Sequence, residues 1–277
     1  VGQSGDISVT AINGDITFTD SNLVSLSLLL ALSGTRGTGG NITVTAINRT
    51  ATKRNITFSN SDLISEAVSF VGPGGDGGDI AVMATNGDIT FDRSDLMSLS
   101  FSGRGPAGNG GAINVFATQG NISGLQRSLL NSVAVSGAKV GSGNGGDIRL
   151  EAQTSINNLE ILTQSSNGQA GEVQIHGFGD LSISNTQIST SQTVNIENPL
   201  QLGTVIFDIG QVGQSGAVTV TGVGNLTFNN TAIQSATQGS DPAGNVTISS
   251  PNLVTFANSQ IISNTSSTGQ AGDIGIT

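Results

Sequence analysis

The sequence predicts an all-β chain wound as a parallel β-helix, with three short strands per coil and about eight coils. Three observations carry this reading. Like residues recur in fixed columns along the whole chain. Two of those columns read as a constant seven residues apart. Glycine, at 40 of 277 residues, is about twice as frequent as usual, while only 9 basic and 19 acidic side chains are present. Fixed repetition is the mark of stacked units, none of which buries its apolar face alone.

The first strand of each repeat opens with a glycine, a small or polar residue, and Ile or Val. The motif stands at Gly5-Asp6-Ile7, Gly40-Asn41-Ile42, Gly78-Asp79-Ile80, Gly111-Ala112-Ile113 and Gly146-Asp147-Ile148. It continues at Gly171-Glu172-Val173, Gly216-Ala217-Val218, Gly244-Asn245-Val246 and Gly272-Asp273-Ile274. Another aliphatic follows two residues later each time, from Val9 to Ile276. Such alternation marks a strand with one buried face.

The second strand has two inward positions. The first holds Ile16, Ile56, Ile89, Ile122, Thr154, Leu181, Leu226 and Val254. The next holds Phe18, Phe58, Phe91, Gly124, Ile156, Ile183, Phe228 and Phe256, which predicts a ladder of Phe18, Phe58, Phe91, Phe228 and Phe256. The outward position between them is Thr or Ser throughout.

The third strand begins at Leu23, Leu63, Leu96, Leu129, Ile161, Ile188, Ile233 and Ile261, seven residues after the second strand's first inward position. The turn before it carries Asp20, Asn60, Arg93, Gln126, Asn158, Asn185, Asn230 and Asn258. Asn and Asp tolerate left-handed backbone and bond their own turn, so Asn158, Asn185, Asn230 and Asn258 read as a structural ladder. A small polar residue follows each anchor by two: Ser25, Ser65, Ser98, Asn131, Thr163, Thr190, Ser235 and Ser263. Alternation points these inward or into the corner, as a stacked hydrogen-bonded ladder. At about 4.8 Å between strands, eight coils make a rod of roughly 40 Å.

Successive first-strand anchors are 35, 38, 33, 35, 25, 45, 28 and 28 residues apart. The variation falls between the third strand and the next glycine, so loops emerge from that corner. The longest, 190–215, contains Asn198-Pro199 and the apolar stretch 204–209, and reads as an inserted loop or hairpin. The apolar segments 26–32, 67–71, 99–101 and 133–135 share this corner and read as a fourth strand or side layer. Both ends look like mid-repeat sequence. The whole chain, 1–277, therefore reads as a single solenoid cut from a longer rod, or as a rod that self-associates end to end.

Composition narrows the chemistry. Without Cys there are no disulfides, thiolate metal sites or cysteine nucleophiles. His176 is the one imidazole; it alternates outward and reads as an exposed residue. A net charge of −10 argues against nucleic acid and anionic membranes as partners. The longest apolar run, 26–32, is far below the roughly 18–20 residues that span a bilayer. No Gly-Lys-Ser/Thr phosphate loop is present.

Two carboxylate groups invite chemistry. Gly74-Gly75-Asp76-Gly77-Gly78-Asp79 is similar to a calcium-binding β-roll repeat, which makes Asp76 and Asp79 the calcium candidates. It occurs once, and calcium takes six or more oxygens, so a glycine-rich corner without a cofactor is the preferred reading. Asp62 and Asp95 share an outward column, near Asp92 and Arg93, and glycoside hydrolysis uses paired carboxylates. The column continues as Ser128, Glu160, Gln187, Ala232 and Gln260, which is no dense cleft, and neither Trp nor Tyr is available for a sugar platform. The Thr/Ser row resembles that of ice-binding β-helices, but the flanking column Thr19, Ser59, Asp92, Leu125 is too irregular for a lattice match.

The motifs Gly-Gly-Asp-Ile (77–80, 145–148), Gly-Asp-Ile-Thr-Phe (14–18, 87–91) and Gly-Gln-Ala-Gly-Asp-Ile (269–274) resemble the repeats of large cyanobacterial exoproteins. Those are filamentous haemagglutinin-like and belong to the two-partner secretion group. The resemblance covers essentially the whole chain. It implies a right-handed β-helix, export through an outer-membrane pore, and a place at the bacterial cell surface or outside the cell. Asn198-Pro199-Leu200 does not match that family's secretion motif, so this chain corresponds to the repeat shaft, and no catalytic residue carries over. The expected function is that of a secreted structural or adhesin-type shaft, not an enzyme, meeting a surface glycan or a host receptor through its corner loops. The alternative is a polysaccharide-binding or polysaccharide-degrading β-helix.

Overall fold

The computed structural model describes residues 3–30, 36–49, 52–137, 141, 143–191 and 213–277. Among them are strands, turns and bends, and no helix. Every strand pairing there is parallel, and the strands stack in solenoid fashion.

One sheet contains nine strands in sequence order, from Ile7–Ile12 through Ile42–Ile47, Ile80–Ala84, Ile113–Ala117 and Ile148–Ala152 to Ile274–Ile276. These are the first strands of the repeats. A second, 14-stranded sheet combines the second and third strands. Short second strands such as Ile56–Ser59 and Ile89–Asp92 stack on one another, and third strands such as Leu63–Ser69 and Leu96–Ser102 do the same beside them. Two long strands, Ile122–Ser136 and Ser155–Ser165, serve both rows.

Register sets like on like. Ile42 lies beside Ile7 and Ile80, and Phe58 beside Phe18 and Phe91. The alternating inward residues of all three rows make one continuous core, in which Ile56, Phe58, Leu63, Ile80 and Ile113 are fully buried. Burying each such side chain contributes about 1.5–3 kcal/mol. The Phe18–Phe58 and Phe58–Phe91 rings stack at 5.1 and 5.4 Å, and Phe228–Phe256 at 4.8 Å. Gly124 beside Phe91, and Ile183 beside Phe228, end these two stacks.

The inner face of the third strand is polar because it packs against the glycine segment that precedes the next first strand. Ser65 Oγ donates to the Gly40 carbonyl (2.8 Å) and accepts from the Gly78 amide (2.9 Å). Ser98 bridges Gly78 and Gly111 in the same way, and Ser132 bridges Gly111 and Gly146. Thr190 Oγ1 donates to the Gly216 carbonyl, and Ser263 bridges Gly244 and Gly272. These glycines are required by close approach. A Cβ on Gly78 would lie 2.3 Å from the Gly40 carbonyl oxygen, and the same clash recurs at Gly111 and Gly146.

Several sequence expectations need correction. In the fourth repeat the third-strand anchor is Leu130, which pairs with Leu96 and Ile161, and the inward polar residue is Ser132. Leu129 and Asn131 therefore sit one place off the inward column, and the seven-residue spacing fails there. The cause is one extra residue in the corner: Phe91 to Leu96 spans five positions, while their partners Gly124 and Leu130 span six. Thr154 is exposed, not inward, because Ile122 pairs with Ile156. The apolar corner segments form no separate fourth strand where they are described; they continue the third strands Leu23–Leu29, Leu63–Ser69 and Leu96–Ser102. Their outward residues Leu99, Val133 and Val135, with Phe101, make a second small apolar cluster. Of the 190–215 insertion, 192–212, including Asn198-Pro199 and 204–209, lies outside the described residues.

Candidate functional site

The two calcium candidates have identified partners. Asp76 Oδ1 accepts from the Asn109 amide (2.7 Å), and Asp79 Oδ1 from the Ala112 amide (2.8 Å). The same bond, from one repeat's side-chain oxygen to the next repeat's backbone N–H, runs along several columns. Asn41 bonds Asp6 and Asp79 bonds Asn41 in this way; Asn144 bonds Asn109 and Gln169 bonds Asn144. Only an oxygen acceptor is needed, so Asp and Asn are interchangeable. Among the described residues no group of three or more His, Asp or Glu is arranged to hold a metal ion.

Asp62 and Asp95 are rungs of the same kind. Asp95 N–H donates to Asp62 Oδ1 (2.9 Å), and Leu129 N–H donates to Asp95 Oδ1 (2.8 Å). The shared column is legible in the sequence. The bond that uses it is not, because it depends on register.

In the turn column, Asp20, Asn60, Arg93, Asn158, Asn185, Asn230 and Asn258 all have φ between 48° and 54°. Gln126 is not among the positive-φ residues, because the fourth repeat's extra residue displaces the corner. Asn60 Nδ2 donates to Asp20 Oδ1 (2.7 Å), and Asn230 Nδ2 donates to Asn185 Oδ1 (2.9 Å).

A cluster that stands apart from these rungs lies on the outer face of the nine-stranded sheet. Phe116, Glu151, His176 and Thr221 are successive register partners. Arg149 and Gln174 stand in the next row. The Arg149 guanidinium lies over the Phe116 ring, 5.6 Å from its centroid, and pairs with the Glu151 carboxylate. His176 Nδ1 shares a 2.9 Å hydrogen bond with Thr221 Oγ1, and its ring meets Phe178 edge-on at 4.9 Å. His176 is thus only part-exposed and held on two sides.

A cation, an anion, an imidazole and two phenyl rings therefore share a flat patch on strands about 4.8 Å apart. The patch sets an ion pair, an imidazole hydrogen bond and phenyl rings side by side. The pair Arg149–Glu151 fixes both charges, and Phe116 and Phe178 offer apolar faces beside them. The signal is present in the sequence. The third residue after each anchor reads Thr10, Thr45, Met83, Phe116, Glu151, His176, Thr221, Ser249, Thr277, a Thr/Ser row interrupted over four repeats. Comparison with protein-family models, with characterised proteins and with solved structures finds no match.

Proposed function

We propose that the chain is a stiff shaft segment of an exported, adhesin-type surface protein of the filamentous haemagglutinin-like, two-partner secretion group. In this reading it is a right-handed β-helix of three strands per coil and about eight coils, secreted through an outer-membrane pore. The observation that supports it best is the ladder construction. Backbone, serine–glycine and Asp/Asn bonds all run between repeats, along one axis. Bending such a stack breaks several bonds at once, so it resists flexing. The patch around Arg149 and Glu151 then serves as a recognition face carried on the shaft, toward a surface glycan or a cell-surface receptor.

The test is location and shape together. Proteinase added to intact source cells should degrade the protein, and deleting the partner pore should retain it inside. Small-angle scattering of the purified chain should give an elongated particle. Recovery of the native protein from the cytosolic fraction, inaccessible to the proteinase, would overturn the reading.

A further inference from the structure

The corner between the second and third strands is built differently at the fourth to sixth repeats. Ser123 pairs with Asn157 and Ser128 with Leu159. Four residues of the fourth repeat, 124–127, therefore face Asn158 alone. Gly124 takes the place where Phe91 stacks in the preceding repeat, and a Cβ there would lie 2.2 Å from the Asn158 carbonyl oxygen. Asn158 Nδ2 donates to the Gly124 carbonyl (2.9 Å), which ties the bulge down. Bulges re-aim side chains and are common beside functional sites. This one pushes Leu125 outward, to 64 % exposure. It opens a groove of about 370 Å³ between Leu125 and Gln126 on one side and Asn185 and Gln187 on the other, with Glu160 between them.

We propose that this groove is a binding subsite for a neutral oligosaccharide. The Gln126 and Gln187 primary amides each carry two donors and an acceptor, the combination that matches a sugar hydroxyl, which both donates and accepts. Glu160 adds a carboxylate that accepts from hydroxyls, and Leu125 offers an apolar surface to the C–H face of a sugar ring. Glu160 gives the described lining a negative charge, which opposes phosphate, sulfate and uronate groups. A single carboxylate suits binding; the two-carboxylate arrangement of glycoside hydrolysis is not assembled among the lining residues. The subsite is independent of how the protein reaches the cell surface.

The experiment titrates the ¹⁵N-labelled full chain with cellopentaose and mannopentaose, and with trigalacturonate as the anionic counterpart. Saturable shifts of the Gln126 and Gln187 side-chain amides are expected with a neutral probe. The Gln126→Ala/Gln187→Ala double variant should bind about tenfold more weakly with an unchanged melting temperature. Leu125→Ser should weaken binding as well. The proposal is overturned if neither neutral probe gives a saturable shift at about 10 mM. It is equally overturned if trigalacturonate binds more tightly, or if the double variant binds like the parent. Cytosolic location would sink the shaft reading and leave this result standing.

Discussion

Glu66 offers the sharpest test of the packing. It lies on the outer face of the third strand, with Leu26 and Leu99 as its register partners on either side. Ile64 and Val68 flank it along the strand. It is 1 % exposed, and its Oε2 is buried without a hydrogen-bond partner. Desolvation favours the neutral acid and raises its pKa from 4.5 to about 7. The sign follows from which state holds the proton. Below 4.5 both folded and unfolded chains carry a protonated Glu66, and stability is unaffected. Between 4.5 and about 7 the unfolded chain ionises first, so stability falls as pH rises. Above about 7 the loss is complete, at about 3 kcal/mol.

The assay is urea unfolding of the parent and of Glu66→Gln from pH 4 to 8. Other carboxylates contribute equally to both chains and cancel in the difference. The parent should lose about 3 kcal/mol relative to the variant across this range, with the slope concentrated between 4.5 and 7. Since a buried glutamine also strands polar atoms, Glu66→Leu supplies a second comparison. It matches Leu26 and Leu99, and should exceed the parent in stability at pH 8 by a similar amount. Parallel pH profiles for parent and Glu66→Gln, or a Glu66→Leu chain no more stable than the parent at pH 8, would refute the burial argument.

Three further outcomes follow from the ladders. Gly78→Ala places a methyl 2.3 Å from the Gly40 carbonyl oxygen and should cost more than about 2 kcal/mol, measured by chemical denaturation; a cost below about 0.5 would contradict the close approach. Ser98→Ala strands the Gly78 carbonyl and the Gly111 amide and should cost about 1–3 kcal/mol, while Ser98→Thr, which keeps the hydroxyl, should recover part of it. Asp62→Asn keeps the oxygen that Asp95 N–H uses and should change stability by less than about 0.5 kcal/mol, whereas Asp62→Ala should cost measurably more.

Much of this architecture is legible in the sequence because stacking repeats each local constraint. The columns headed by Ile7, Ile16 and Leu23 could be read without coordinates, since each inward place demands the same residue class in every repeat. What escaped reading falls into two kinds. The fourth repeat breaks the count by one residue, and a column extrapolated through it lands on Leu129 and Asn131 instead of Leu130 and Ser132. Both pairs are of compatible residue types, so nothing in their chemistry exposes the slip. The second kind is partnership. That Asp76, Asp79, Asp62 and Asp95 each bond a backbone amide one repeat away is a matter of register, invisible when acids are viewed along the chain. The patch of Phe116, Arg149, Glu151 and His176 was available from the same alignment, as an interruption of a Thr/Ser row.

The rungs also explain why charge is scarce. A rung needs one oxygen acceptor per repeat, and carboxylates stacked about 4.8 Å apart would repel one another. Alternating Asp with Asn, as in Asp6, Asn41 and Asp79, or Asp15, Asn55 and Asp88, supplies the acceptor while spacing the charges two strands apart. Where two acids do stack, as Asp62 on Asp95, Asn22 stands on one side and Leu129, whose amide bonds Asp95, on the other. An acid in a rung is therefore a structural acceptor in this protein, and its presence in a column is no argument for catalysis or metal binding. The carboxylates that depart from this pattern carry more information. Glu151 is held against Arg149 on the flat face, Glu160 stands in the corner groove, and Glu66 is buried in an apolar stripe. Recognition and pH response are to be sought at these three side chains, where the repeat rule is broken, and not along the columns where it is kept.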